Sequence, residues 1–102
     1  MREETIIVIN GQHGKQIYLG GSFPGIYLTV REAELVLLFD EYTIDEICSF
    51  LSVSPSTIDF RTVNLLQKFK CETIEALISI LNEALIIDQL GGLVDISYLV
   101  TL

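Results

Sequence analysis

Basic residues are few in this sequence. Its 102 residues include six lysines and arginines against fourteen aspartates and glutamates, which gives a formal net charge of −8 at pH 7. The overall basic balance that is common in nucleic-acid-binding domains is therefore missing, and only a local basic patch is open to the chain. Arg61, Lys68 and Lys70 lie within ten consecutive positions, so such a patch is expected there.

Metal-ligating residues are equally scarce. Cys48, Cys71 and His13 are the only cysteines and the only histidine, whereas a structural zinc site needs about four such ligands. We expect both cysteines to be reduced and to act as small hydrophobic side chains. The sequence offers no catalytic triad, metal cluster or phosphate-binding glycine loop, so we expect neither an enzyme nor a bound cofactor.

Long apolar runs are also lacking. Half of the residues are hydrophobic, which is enough for one folded domain. The longest apolar runs, such as Ile6–Ile9 and Leu35–Phe39, are much shorter than the roughly 20 residues of a membrane helix. The residues after Arg2-Glu3-Glu4 do not form the apolar region of a signal peptide. The sequence therefore predicts a cytoplasmic protein with no membrane segment.

Residues 1–27 are predicted to form a β-hairpin and a linker. Thr5–Ile9 is a β-branched run typical of a strand, and Gln16–Leu19 is the expected returning strand. Asn10-Gly11 is a strong signal for the hairpin turn, and Gln12, His13 and Gly14 are predicted to extend it. The glycine-rich stretch Gly20–Gly25 is predicted to be a loop.

Three helix starts follow. Thr29 and Thr43 are each followed three positions later by glutamate, which is the capping-box pattern. Ser54 precedes Pro55, a combination typical of an N-cap followed by the first helical position. The predicted helices run from these caps to about residues 40, 51 and 69.

The last third of the chain predicts one more helix and a tail. This fourth helix is expected from Thr73 to about Leu90, with Gly91-Gly92 as its stop. Apolar residues then alternate with period two across 94–100, so the tail, residues 91–102, could be a strand that pairs with the hairpin. The fold class predicted is mainly α, with four helices, a short N-terminal β-hairpin and this C-terminal segment.

A short joint, Ser52-Val53, separates the second and third predicted helices. So tight a connection suits a helix-turn-helix, in which the second helix enters the major groove of DNA. Ile58, Leu65 and Phe69 share one face of the third helix and are expected to pack in the core.

Residues 28–78 closely resemble the LuxR-type (GerE-type) helix-turn-helix domain of bacterial transcriptional regulators. The resemblance is carried by Leu28-Thr29-x-Arg31-Glu32-x-Glu34-Leu35, Glu46-Ile47, Leu51, Val53-Ser54-Pro55-x-Thr57-Ile58, Asn64-Leu65 and Lys68-Phe69. It implies a four-helix bundle over residues 28–90, whose third helix binds double-stranded DNA and whose fourth helix often carries the dimer contact.

The exposed face of the third helix supplies the candidate DNA contacts. Arg61 can bind guanine in bidentate fashion, and Asn64 can bind adenine. The residues predicted to bind DNA are Ser56, Thr57, Phe60, Arg61, Asn64, Lys68 and Lys70.

Some positions depart from the family pattern. Ser56 and Thr62 stand where the family often has a basic residue, and Asp59 would face phosphates. Each missing lysine or arginine removes a phosphate contact. Phe60 and Val63 could touch thymine methyl groups, form an apolar patch for a protein partner, or be partly buried. Two hypotheses follow: a DNA-binding transcriptional regulator, or a degenerate helix-turn-helix that acts as a protein–protein interaction module.

The predicted fourth helix is apolar on most sides. One stripe comprises Ile74, Leu77, Ile78, Leu81 and Leu85, and another comprises Ala76, Ile80, Ala84 and Ile87. One stripe suffices to pack against the bundle, so the other implies a second partner, either the β segments or a second subunit. We therefore predict a homodimer. Its predicted contacts are Ile78, Leu81 and Leu85.

Overall fold

The computed structural model describes residues 6–21 and 23–100. Within them, three strands precede five helices. The elements are β1 (Ile7–Gly11), β2 (Gly14–Tyr18), β3 (Tyr27–Leu28), α1 (Val30–Glu41), α2 (Ile44–Leu51), α3 (Pro55–Phe69), α4 (Ile74–Glu83) and α5 (Ile86–Leu93). The three strands form one antiparallel sheet in the order β1-β2-β3. The described residues thus form a mixed α/β domain. It has one helix more than the sequence predicts, and its third strand lies at Tyr27–Leu28 instead of in the C-terminal tail.

The hairpin turn occupies only the later part of the predicted turn segment. Gly11 pairs with Gly14, so the loop is Gln12-His13, and Asn10-Gly11 belongs to β1. The turn needs a positive φ that glycine adopts readily, and Gly14 supplies it with a φ of +117°. The hairpin is therefore confirmed, and its loop lies within the predicted turn segment, although Asn10-Gly11 itself belongs to the strand. Thr5, predicted to begin the first strand, lies outside the described residues.

The third strand arises from the end of the predicted linker. Leu28 pairs with Ile17, and Ile17 in turn pairs with Val8, so these three side chains share one face of the sheet. Ile17 is 2% exposed and Leu28 is fully buried. Ile17 and Leu28 belong to the same hydrophobic core as the helices, whereas Val8 at the edge strand is exposed.

Two helices begin at the predicted capping boxes. The Thr29 backbone N–H donates to Glu32 Oε1 at 2.9 Å, and Thr29 Oγ1 accepts from the Glu32 N–H at 3.1 Å. Thr43 and Glu46 repeat the arrangement at the start of α2. Both predicted starts are confirmed. They could be predicted from the sequence because a capping box depends only on residues three positions apart.

The predicted fourth helix is in fact two helices. α4 and α5 are bent by 87° relative to each other, and Leu85 between them adopts the left-handed conformation with φ +62°. Leu81 and Ile86 are both fully buried, but on one straight helix they would lie about 140° apart. The bend turns both toward the core. The predicted stop at Gly91-Gly92 is also wrong, since both glycines lie inside α5.

No single helix in the described residues is long and apolar enough to cross a membrane. The bent pair of α4 and α5 meets those two criteria only when both helices are counted together.

The described part of the tail, up to Val100, contains no strand. The backbone N–H groups of Leu99 and Val100 both donate to the Ile96 carbonyl, at 2.9 and 3.3 Å. This turn closes the backbone on itself, so no extended segment remains to pair with the hairpin, and the predicted strand is wrong for these residues. Thr101 and Leu102 lie outside the described residues.

The residue that ends α3 offers a stability test. Lys70 has a left-handed φ of +57° and is exposed, a conformation that costs a non-glycine residue of order 1 kcal/mol. We expect Lys70→Gly to raise the free energy of unfolding by about 1 kcal/mol, measured by urea denaturation. Glu72→Gly is the matched control because Glu72 is exposed but has no positive φ. Equal effects of the two substitutions would contradict the explanation.

Candidate nucleic-acid interface

A tight joint connects α2 to α3. Ser52 takes a left-handed φ of +56°, and the Val53 N–H donates to the Cys48 carbonyl at 3.1 Å. Ser54 then caps α3 by accepting from the Thr57 N–H at 3.4 Å, with Pro55 at the first helical position. The predicted joint and the predicted start of α3 are both confirmed.

α3 is fixed to the core along one side only. Ile58 and Leu65 are fully buried and lie seven residues apart, which is close to two helical turns. The opposite side carries Phe60 and Val63, which are 69% and 51% exposed. Both residues are therefore exposed on the described part of the domain, which disfavours the alternative that they are buried within it. An outer face of α3 stays uncovered by the described chain.

The predicted DNA-binding residues do not all lie on that outer face. Ser56, Phe60, Arg61, Asn64 and Lys70 are exposed, whereas Thr57 and Lys68 are partly buried. Arg61, Asn64 and Lys68 have the spacing i, i+3, i+7 and so share one flank of the helix, beside α1. Ser56, Phe60, Val63 and Gln67 form the outermost strip, which contains no basic residue.

Lys68 points into the domain. Its Nζ lies 2.7 Å from Glu32 Oε1 and 2.8 Å from the Tyr27 carbonyl oxygen, and it donates to both. The same ammonium lies 4.5 Å from the centre of the Tyr27 ring, a cation–π distance. Lys68 thus ties α3 to α1 and β3, and its predicted role as a DNA contact is corrected to a structural one.

Charges of both signs surround the outer face. Arg61 and Lys70 are the exposed cations between residues 55 and 70, and Asp59 is exposed on the same helix. Asp45 and Glu46 are exposed at the start of α2. The positive potential of this surface therefore depends on two side chains.

A buried carboxylate lies behind α3. Glu34 on α1 is 6% exposed, and the Tyr98 hydroxyl of the tail donates to its Oε2. This hydrogen bond to Glu34 is the main cause that raises the pKa of Tyr98 above its ordinary value. The two residues are 64 positions apart in the sequence, so no local sequence pattern predicts this contact.

The predicted dimer contacts divide into three environments. Leu81 is fully buried in the chain's own core, Ile78 is partly buried, and Leu85 is 50% exposed at the helix break. A buried side chain cannot contact a second subunit, so Leu81 is wrong as a dimer residue. Ile87, from the extra apolar stripe, is 6% exposed. The bend between α4 and α5 thus buries part of the surface that suggested a second subunit.

The Lys68–Glu32 pair can be measured by a double-mutant cycle. Both side chains are about a quarter exposed, and fully exposed pairs are worth about 0.2–1 kcal/mol. We expect Lys68→Met and Glu32→Gln to show a coupling of about 1 kcal/mol in urea denaturation, at the upper end of that range. Replacing Lys70 instead of Lys68 is the control, and its coupling to Glu32 should be close to zero. A negligible Lys68 coupling would contradict the geometry.

The Tyr98–Glu34 hydrogen bond predicts a late tyrosine titration. The raised pKa means that folding favours the neutral phenol. Its contribution to stability is complete below the ordinary tyrosine pKa of about 10 and is lost as the pH rises through the folded value. We expect ultraviolet absorbance titration to show one tyrosine that ionises above the ordinary pKa and is missing in Tyr98→Phe. Ionisation at or below that pKa would contradict the contact.

Comparison of this chain with family models, characterised proteins and solved structures finds no match to any of the three.

Proposed function

We propose that this chain is a DNA-binding transcriptional regulator that acts in the bacterial cytoplasm, with α2 and α3 as a LuxR-type helix-turn-helix. The observation that carries the proposal is the exposed outer face of α3, a helix of 15 residues that follows a tight joint. Ile58 and Leu65 anchor its inner side. An anchored helix with one uncovered face has the form that enters a major groove.

The side chains of α3 suit base contacts better than phosphate contacts. Phe60 is exposed at the centre of the helix and fits thymine methyl groups, while Arg61 and Asn64 on the flank fit guanine and adenine edges. Ser56 lies in the first turn, where free backbone N–H groups and the helix dipole favour a phosphate. In this arrangement Lys68 makes no DNA contact and instead holds α3 in place.

This proposal implies an unusually weak dependence on salt. Each neutralised phosphate contributes about −0.9 to the slope of log K against log salt concentration. On a random-sequence duplex Arg61 would contact phosphate instead of a specific base. With Arg61 and Lys70 as the exposed cations of α3 and its C-cap, we expect a slope near −2 for one protomer. Two protomers on adjacent half-sites would raise the affinity, so we keep the homodimer as part of the proposal. Leu85 and Ile78 are its remaining contact candidates.

One observation favours a second function. The outermost strip of α3 carries Phe60 at 69% and Val63 at 51% exposure, and the chain has a net charge of −8. Exposed apolar side chains on a helix are a common anchor for a groove in another protein. The second candidate is therefore a protein–protein interaction module with little or no affinity for DNA.

Fluorescence anisotropy with a random-sequence duplex of about 20 base pairs tests the first proposal. We expect micromolar-range binding at low salt that weakens with the shallow slope given above. Arg61→Ala should remove most of the binding, because the substitution deletes one of the two exposed cations of α3 and its C-cap. Lys15→Ala is the matched control, since it removes the same charge from an exposed position on β2 and should leave binding nearly unchanged.

Two outcomes would count against DNA binding. The first is no binding at low salt by a protein whose circular dichroism shows that it is folded. The second is an equal loss in Arg61→Ala and Lys15→Ala, which would indicate a general charge effect. Lys70→Gly adds a further check, because it removes a cation while the expected stability rises.

A further inference from the structure

A pocket of 370 Å³ lies between α1, α3 and the C-terminal tail. Small-molecule sites in proteins are typically about 300–1,000 Å³, mostly apolar, with a few polar groups that converge on the ligand. Leu35, Leu51 and Leu99 supply the apolar wall of this pocket, and Arg31 and Arg61 supply its cations. Asn64 adds an amide at the same place. The lining therefore combines an aliphatic surface with two guanidinium groups.

The two acidic residues that also line the pocket already have partners. Glu32 accepts from the Lys68 ammonium at 2.7 Å, and Glu34 accepts from the Tyr98 hydroxyl. Among residues 6–21 and 23–100, neither Arg31 nor Arg61 has a carboxylate within 4.0 Å. The guanidinium groups are thus outside the ion pair of the pocket wall, and Arg31, Arg61 and Lys68 together exceed Glu32 and Glu34 by one positive charge.

We propose that this pocket binds a small aliphatic molecule that ends in a carboxylate. The carboxylate would be held by Arg31 and Arg61, because guanidinium groups bind carboxylates through paired hydrogen bonds. The aliphatic chain would lie against Leu51 and Leu99. A singly charged head group fits better than a phosphate dianion, because Arg31, Arg61 and Lys68 exceed Glu32 and Glu34 by only one positive charge.

Occupancy of the pocket would affect α3 directly. Arg61 and Asn64 line the pocket and are also the proposed contacts to guanine and adenine. A carboxylate bound to Arg61 neutralises one of the two exposed cations of α3 and its C-cap, so the bound molecule competes with DNA. This consequence rests on the proposed DNA-binding function, whereas binding of the carboxylate itself does not.

Nuclear magnetic resonance titration of the full chain with octanoate tests the binding step. We expect saturable chemical-shift changes centred on residues 31, 51, 61 and 99. Acetate has the charge without the chain, and 1-octanol has the chain without the charge. Each should bind at least tenfold more weakly than octanoate. Arg31→Gln combined with Arg61→Gln should weaken octanoate at least tenfold, while the matched control Lys15→Gln should leave its affinity unchanged.

Several results would overturn the proposal. Shifts centred on the exposed strand β1 would show adventitious adsorption to an apolar surface. Equal affinity for 1-octanol, or an unchanged affinity in the double arginine variant, would show that the guanidinium groups do not bind the head group. Lack of saturable binding would overturn it directly.

A DNA titration with and without octanoate separates the two proposals. If octanoate binds the pocket and raises the Kd for a duplex, both stand. If octanoate binds and the chain has no affinity for DNA, the pocket stands and the proposed function fails. If the duplex binds and octanoate does not, the proposed function stands and the pocket fails.

Discussion

The burial of Ile58 and Leu65 fixes the orientation of α3, and the contact of Lys68 with Glu32 and Tyr27 reinforces it; the rest of the candidate interface depends on this orientation. One ammonium donates to a carboxylate on α1 and to a carbonyl on β3, so three elements are joined at a single point. A partly buried charge is costly unless it is paired and hydrogen-bonded. Rotating α3 would break both bonds of Lys68 and would expose Ile58 and Leu65. The helix therefore has one stable orientation, and Phe60 and Val63 face outward in it.

Local signals in the sequence predict the helix starts, and contacts between distant residues account for most of what they miss. The capping boxes at Thr29 and Thr43 need only four consecutive residues, which is why both starts follow from the sequence. The Lys68–Glu32 and Tyr98–Glu34 contacts span 36 and 64 positions, and their spacing carries no periodic signal. The outward position of Arg61 could be predicted from helical periodicity. The inward position of Lys68, on the same flank, could not, because it depends on a carboxylate from another helix.

The break between α4 and α5 illustrates the same limit in the core. Periodicity alone favours one long helix, since its apolar residues fill two continuous stripes. The core has room on one side only, and it buries both Leu81 and Ile86 by bending the chain at Leu85. The left-handed φ of a leucine is a local cost, and burial of apolar surface on α5 offsets it. A prediction from local propensities takes no account of the shape of the core, so it extends one helix through Leu85.

The two internal contacts also determine which charges are left for function. Without Lys68, the Glu32 carboxylate would be an unpaired anion in the pocket wall that Arg31 and Arg61 also line, and it would attract their guanidinium groups. Because Lys68 pairs with Glu32 and the Tyr98 hydroxyl binds Glu34, neither carboxylate forms an ion pair with the two arginines, and the pocket wall keeps one positive charge in excess. In a chain with a net charge of −8, a positive site persists only where nearby carboxylates are already occupied. Lys68 therefore supports the candidate interface indirectly. Its own charge faces inward, but it pairs with Glu32 and so keeps that carboxylate from pairing with Arg31 or Arg61.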